Sequence, residues 1–197
     1  MYFKSNHKIV NHKDDFKFID IKNMPKTSYT SKTIKVAEKI SWIRTGDSKD
    51  FAINQCGATV ASNIFLYYKE GLGEDFAYTL NSTEIFAEVY DILGNGPIMS
   101  ISEALKKYFK KFGIIIKTKD LYSFKDLKKE IEKNIIVAIL LEKGLMNWHW
   151  IICLGYRIYV DGAEYLRIID GWNNNIDKFY KIQRGREWLS AASYFIK

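Results

Sequence analysis

The stretch Asn54-Gln55-Cys56-Gly57-Ala58-Thr59-Val60-Ala61-Ser62-Asn63-Ile64-Phe65-Leu66-Tyr67-Tyr68 decides how the rest of the chain is read. From Val60, the residues Ala61, Ile64, Phe65 and Tyr68 follow at offsets of one, four, five and eight, which defines an apolar helical face. Cys56 stands four residues before Val60, so its thiol lies at the mouth of an otherwise buried helix. Unpaired amides and the positive end of the helix dipole favour a thiolate there, the form of cysteine that attacks carbonyl carbon. A cysteine in such a place can also simply pack as a small buried hydrophobe.

Two strands far downstream complete the picture. Trp148-His149-Trp150-Ile151-Ile152-Cys153-Leu154-Gly155-Tyr156 is β-branched and aromatic, and it opens with the one histidine outside the first twelve residues. Tyr165 to Trp172 forms a second strand that ends in Asp170, with Asp161-Gly162 as a hairpin signal between them. Antiparallel pairing can set the start of one strand beside the end of the next, which makes His149 and Asp170 neighbours. A cysteine at a helix start with a histidine and an acid at strand ends is the set that nucleophilic acyl transfer needs.

With these motifs the chain resembles the papain-like cysteine peptidases, most of all the C39-like group related to bacteriocin-processing peptidases. The matching features are Cys-Gly opening a long helix, His-x5-Gly-Tyr on a strand and a later Asp, in the order Cys56, His149, Asp170. The Asn-Ser-Trp of papain-type enzymes is similar to Asp170-Gly171-Trp172, which implies that Trp172 shields a His149–Asp170 hydrogen bond from water. The resemblance runs from about Asp50 to the C-terminus. It implies a Cys56-His149-Asp170 catalytic triad, a peptide or protein substrate and cleavage or transfer at peptide or isopeptide bonds.

One position departs from the pattern: the group's oxyanion-hole glutamine lies about six residues before the cysteine, where this chain has Asp50. The nearest amide side chains are Gln55 and Asn54. Either can donate to a developing oxyanion beside the Cys56 amide, or merely brace the loop. The same departure supports a second reading, a catalytically silent papain-like domain that binds peptides without cutting them.

The chain has 197 residues, 47% of them hydrophobic, with a net charge of +7. That length suits one domain with a sizeable core. The reading is a single domain over 1–197: a wrapping segment at 1–45, a mainly helical part at 46–134 and an antiparallel sheet part at 135–197. Helices early and antiparallel strands late argue α+β, with the Cys56 helix packed against the sheet that carries His149 and Asp170.

Within this frame Phe16–Ile21 reads as a strand and Ser31–Ile43 as a strand or a short helix, Asn81 with Glu84 opens a capped helix to about Leu93, and Ala104–Phe112 is the next helix. Ile114–Thr118 is a short strand, Ser123 with Asp126 opens a third helix to near Asn134, and Ile135–Leu141 is a strand buried on both faces. Lys178–Ile182, a short helix around Glu187 and Ser193–Lys197 close the chain.

Two cysteines cannot make a disulfide framework, and Cys153 in mid-strand reads as core. The three histidines lack metal-ligand spacing, so neither metal nor cofactor is expected. The charge is carried by lysines such as Lys106-Lys107 and Lys128-Lys129, interleaved with acids and without a nucleic-acid motif. No apolar run is long enough to span a membrane. No secretory signal is legible at the start, which points to the cytoplasm unless a leader has been removed, and then to a secreted or cell-surface site. Oligomeric state leaves no trace in the sequence.

Overall fold

The computed structural model describes residues 16–48, 52, 54–73, 80–95, 98–143, 147–173, 175–183 and 188–197. Its backbone is one antiparallel sheet with helices packed on it. The strands are β1 (Ile19–Asp20), β2 (Tyr29–Thr33), β3 (Ile116–Asp120), β4 (Ile136–Glu142), β5 (Trp148–Tyr159), β6 (Glu164–Ile169), β7 (Lys178–Lys181) and β8 (Ser190–Ile196). They run in the order β1-β7-β6-β5-β4-β8-β3, and β2 also pairs with β5. The α-helices are α1 (Cys56–Leu66), α2 (Ser82–Leu93), α3 (Ser102–Lys110) and α4 (Phe124–Glu132).

β5 is the strand everything else is laid against. Its first half pairs with β4, Leu141 opposite His149 and Val137 opposite Cys153. Its second half pairs with β2 along the same edge, Thr33 opposite Gly155 and Tyr29 opposite Tyr159. On the other edge lies β6, with the register shifting between Cys153 and Gly155. Six of the seven residues of β4 are buried, which fits a strand covered on both faces.

The helices begin where their caps direct. Asn81 and Glu84 form the full capping box at α2, and the Ser123 side chain accepts from the Asp126 amide at α4. α3 starts two residues before the expected Ala104, after Ile101, which gives no side-chain cap. α1 is buried from Gly57 to Leu66 and passes into a π-helical turn at Tyr67–Gly71, so the helical stretch ends at Gly71.

The helical and sheet sections interleave more than the sequence suggests. The section before 46 adds β1 and β2 to the sheet, and β3, from the mainly helical section, pairs with β8 at the opposite edge. Most of the expected Phe16–Ile21 strand is not paired, since the ladder there holds just Ile19 and Asp20. β3 and β8 each lie a few residues from their expected bounds; β8 starts early because Ala191 and Ala192 carry little strand signal yet pair fully with β4. The helix expected around Glu187 falls mainly outside the described residues, as does Asp50.

The close pairing of β2 with β5, where the two backbones cross into contact at Thr33, depends on Gly155. A Cβ at this position would collide with the Lys32 carbonyl oxygen and sit 3.0 Å from Thr33 Cα, both main-chain atoms that cannot swing away. Gly155→Ala is therefore expected to lower stability by about 1–3 kcal/mol, the usual cost of overpacking, measured by urea denaturation. An unchanged midpoint would contradict this account of the crossing.

Candidate active site

Cys56 is the first residue of α1, and Gln55 is its N-cap, with no side-chain hydrogen bond capping the helix. No acidic side chain sits in the first turn, so the dipole end is left unneutralised. Burial pushes the Cys56 thiol up, while the main-chain amides of Trp150, Gly57 and Cys56 itself pull it back. The Trp150 amide belongs to β5, so the thiol meets the sheet one residue past His149. A Cβ at Gly57 would meet the Trp150 ring at 3.5 Å, an ordinary van der Waals contact, so the ring packs directly on the first turn of α1. The Trp150 indole N–H is held by the Ile98 carbonyl at 2.7 Å.

His149 is almost fully buried, at 4% exposure. Its ring stacks on Trp172 with centroids 4.0 Å apart and planes 14° apart. Phe16 and Phe18 close in at centroid distances of 5.6 and 6.4 Å. Nε2 lies 2.6 Å from the main-chain carbonyl oxygen of Asp170. A carbonyl oxygen can only accept, so Nε2 carries the proton and Nδ1 is the basic nitrogen of the neutral ring. Burial drives the imidazole pKa down to about 4, and Asp170 offsets part of this through its main-chain bond and its charge.

Asp170 thus meets His149 by its carbonyl, whereas the sequence suggests a carboxylate facing the ring. The carboxylate has no exposure and is taken up by its own turn. Oδ1 accepts from the Trp172 amide at 2.9 Å and from the Asn173 amide at 3.3 Å. Oδ2 accepts from Asn173 Nδ2 at 3.3 Å and from Lys178 Nζ at 2.6 Å. Gly171, at a φ of +72°, takes the left-handed conformation that lets the chain turn so tightly.

The two amide candidates behave differently. Asn54 is exposed, at a φ of 50°. Gln55 is buried, and its Nε2 donates to the Thr45 carbonyl. Thr45 in turn reaches across to the acid's turn, its N–H and its Oγ1 both donating to the Gly171 carbonyl at 2.8 and 3.2 Å. Asn63 of α1 clamps the main chain just before it, giving and receiving hydrogen bonds with Ile43 at 2.9 and 2.8 Å. The segment 43–45 therefore ties the cysteine helix to the Asp170 turn.

The structure brings His149 to Asp170 and Cys56 to Trp150, and no hydrogen bond joins Cys56 to His149 among the described residues. Sequence reasoning does not reach Lys178, Thr45 or Asn63. A lysine in a short alternating strand and a polar residue inside a helix carry no signal of such partners. Both cysteines are free; Cys153 is fully buried, with its thiol pushed up to about 12. Among the described residues no cluster of His, Cys, Asp and Glu could hold a metal ion, and no helix is long and apolar enough to cross a membrane.

Mixed helices on an antiparallel sheet define the architecture. This is the fold of a solved structure from Bacillus anthracis, described there as a candidate C39-like peptidase. The likeness has a TM-score of 0.51 at 15% identity and covers 84% of this chain and 98% of that one. At this identity the likeness concerns the fold alone. No family model and no curated protein matches the sequence.

The buried histidine makes acid a specific stress. Between its ordinary value of 6.5 and about 4, the unfolded chain binds a proton at this position that the folded chain refuses. Stability should therefore fall as pH drops through that window, by about 3 kcal/mol in total. His149→Gln should remove this part of the pH dependence, as read from urea midpoints at pH 7, 5.5 and 4. An equal slope in the variant would contradict the assignment.

Proposed function

We propose that this chain is a papain-like cysteine peptidase of the C39-like kind, or a related acyl-transfer hydrolase, acting on peptide or isopeptide bonds. Cys56 is the nucleophile, His149 the general base and acid, and Asp170 the residue that orients the histidine. The observation that carries this reading is the meeting of the α1 N-terminus with the start of β5, beside a histidine whose Nε2 is fixed to Asp170 and whose ring is roofed by Trp172.

In the reaction, Cys56 Sγ gives its proton to His149 Nδ1 and attacks the substrate carbonyl carbon. The tetrahedral oxyanion accepts from the Cys56 main-chain N–H and from a second donor, Gln55 or Asn54. Collapse breaks the carbon–nitrogen bond as the imidazolium protonates the leaving amine, leaving a thioester. Water, or a second amine, then gives a proton to Nδ1 and attacks the thioester. This releases the acid or the new amide and restores the thiol. Cys153, buried inside β5, takes no part.

The test is alkylation by iodoacetamide followed by peptide mapping, together with turnover of a peptide library read by mass spectrometry. Rapid labelling of Cys56, abolished by His149→Ala and kept in Cys153→Ala, is expected along with cleavage that Cys56→Ala removes. In the same assay, Gln55→Ala or Asn54→Ala should cut turnover by about a hundredfold or more, which identifies the second donor. Labelling that ignores His149, with peptides bound and left uncut, would overturn the proposal in favour of a silent binding domain.

A further inference from the structure

Lys178 lies on β7, eight residues beyond the acid, and its ammonium is 2.6 Å from Asp170 Oδ2. The carboxylate is wholly buried and Lys178 is 19% exposed along its side chain, so the pair is shielded from bulk water. The same carboxylate accepts from both amides of its turn and from Asn173 Nδ2. The turn in turn presents the Asp170 carbonyl to His149 Nε2 and sets Trp172 on the ring.

We propose that Lys178 is a positioning residue for His149. It claims the Asp170 carboxylate, so the histidine is held by the main-chain carbonyl and meets the carboxylate's negative charge with the ammonium set against it. The role of His149 as base rests on the acyl-transfer reading above; the clamp itself does not. A carboxylate left without its lysine, in so dry a place, would act on the nearest group able to take up a proton. Within electrostatic reach that group is the imidazole. Among the described residues, the elements around His149 also carry Cys56 of α1, Tyr180 and Lys181 of β7, Arg167 of β6, which pairs with Asp177 at 2.7 Å, Glu142 of β4, and Lys17 between Phe16 and Phe18. Glu142 is engaged by the Trp148 indole at 3.3 Å, and Lys17 is exposed. Neither replaces Lys178 as a counter-charge for Asp170.

The clamp also gives Lys178 a place in the chemistry. With the carboxylate neutralised, the ring stays uncharged in the resting protein and Nδ1 is ready to accept the thiol proton. An acid free to pair with the ring would favour imidazolium before substrate arrives.

The experiment is a charge cycle on the full chain, read as the NMR titration of the His149 Cε1–H resonance, which is identified by its loss in His149→Gln. Lys178→Met should raise the His149 titration by about one pH unit or more, since the carboxylate then lies near the ring without its counter-charge. Asp170→Asn, which leaves the lysine charge alone beside the ring, should lower it. The double variant, with neither charge, should return close to the wild type. Should Lys178→Met not fold, the step from Asp170→Asn to the double variant carries the same test and must go upward.

A merely structural role would loosen the site and move the single variants together toward the ordinary histidine value. Parallel shifts in Lys178→Met and Asp170→Asn, or no shift in either, would overturn the proposal. A working charge cycle in a protein whose Cys56 does not react would sink the acyl-transfer reading and leave the clamp standing. Reactive Cys56 with a failed cycle would do the reverse.

Discussion

A carboxylate at zero exposure must be answered by hydrogen bonds or it will not remain ionised, and Asp170 is answered by four donors. Two of them are the amides of Trp172 and Asn173, so satisfying the charge also bends the chain. That bend aims the Asp170 carbonyl at His149 and lays Trp172 on the imidazole. The fourth donor, Lys178, fastens the turn to β7, and β7 in turn holds β1 and the Phe16–Phe18 cover. One buried charge thus fixes the histidine's tautomer and its roof through the turn that answers it.

Burial sets the state of both groups proposed for catalysis. Desolvation raises the thiol and lowers the imidazole, in both cases against the charged form. The sequence pattern suggests a standing thiolate–imidazolium pair, since a helix N-terminus favours an anion. The dipole and three main-chain amides do favour it, but removal from water outweighs them at Cys56. In the proposed mechanism the two charges therefore arise together, by one proton transfer, and the oxyanion site stabilises the tetrahedral intermediate that the attack creates.

Much of this is legible in the sequence because it is local. The helix from Cys56 shows in the spacing of Val60, Ile64 and Phe65; α2 shows in Asn81 and Glu84; and the unbroken run from Ile136 to Leu141 can only be a strand covered on both faces. The early strands are hidden for an equally physical reason. β1 pairs through two residues, and β2 is polar and largely exposed, so its ladder to β5 leaves no alternation to read. At the site, residue types and order are visible, while the atoms that meet are not. Nothing in Asp170 as a letter says that its carbonyl faces the ring, or that Lys178, spaced like any solvent-facing lysine, occupies its carboxylate. Gln55 reads from the sequence as an oxyanion donor or a brace, and its bond to Thr45 shows it bracing the 43–45 segment.

The central claim is that Cys56 and His149 act as a pair on a carbonyl carbon at the seam of α1 and β5. A crystal structure of the protein treated with a short peptide aldehyde tests it most directly. The account predicts a hemithioacetal on Cys56 Sγ, with its oxygen about 3 Å from the Cys56 amide and with His149 Nδ1 turned toward the adduct. An unmodified Cys56, or an adduct with His149 Nδ1 pointing away from it, would contradict it.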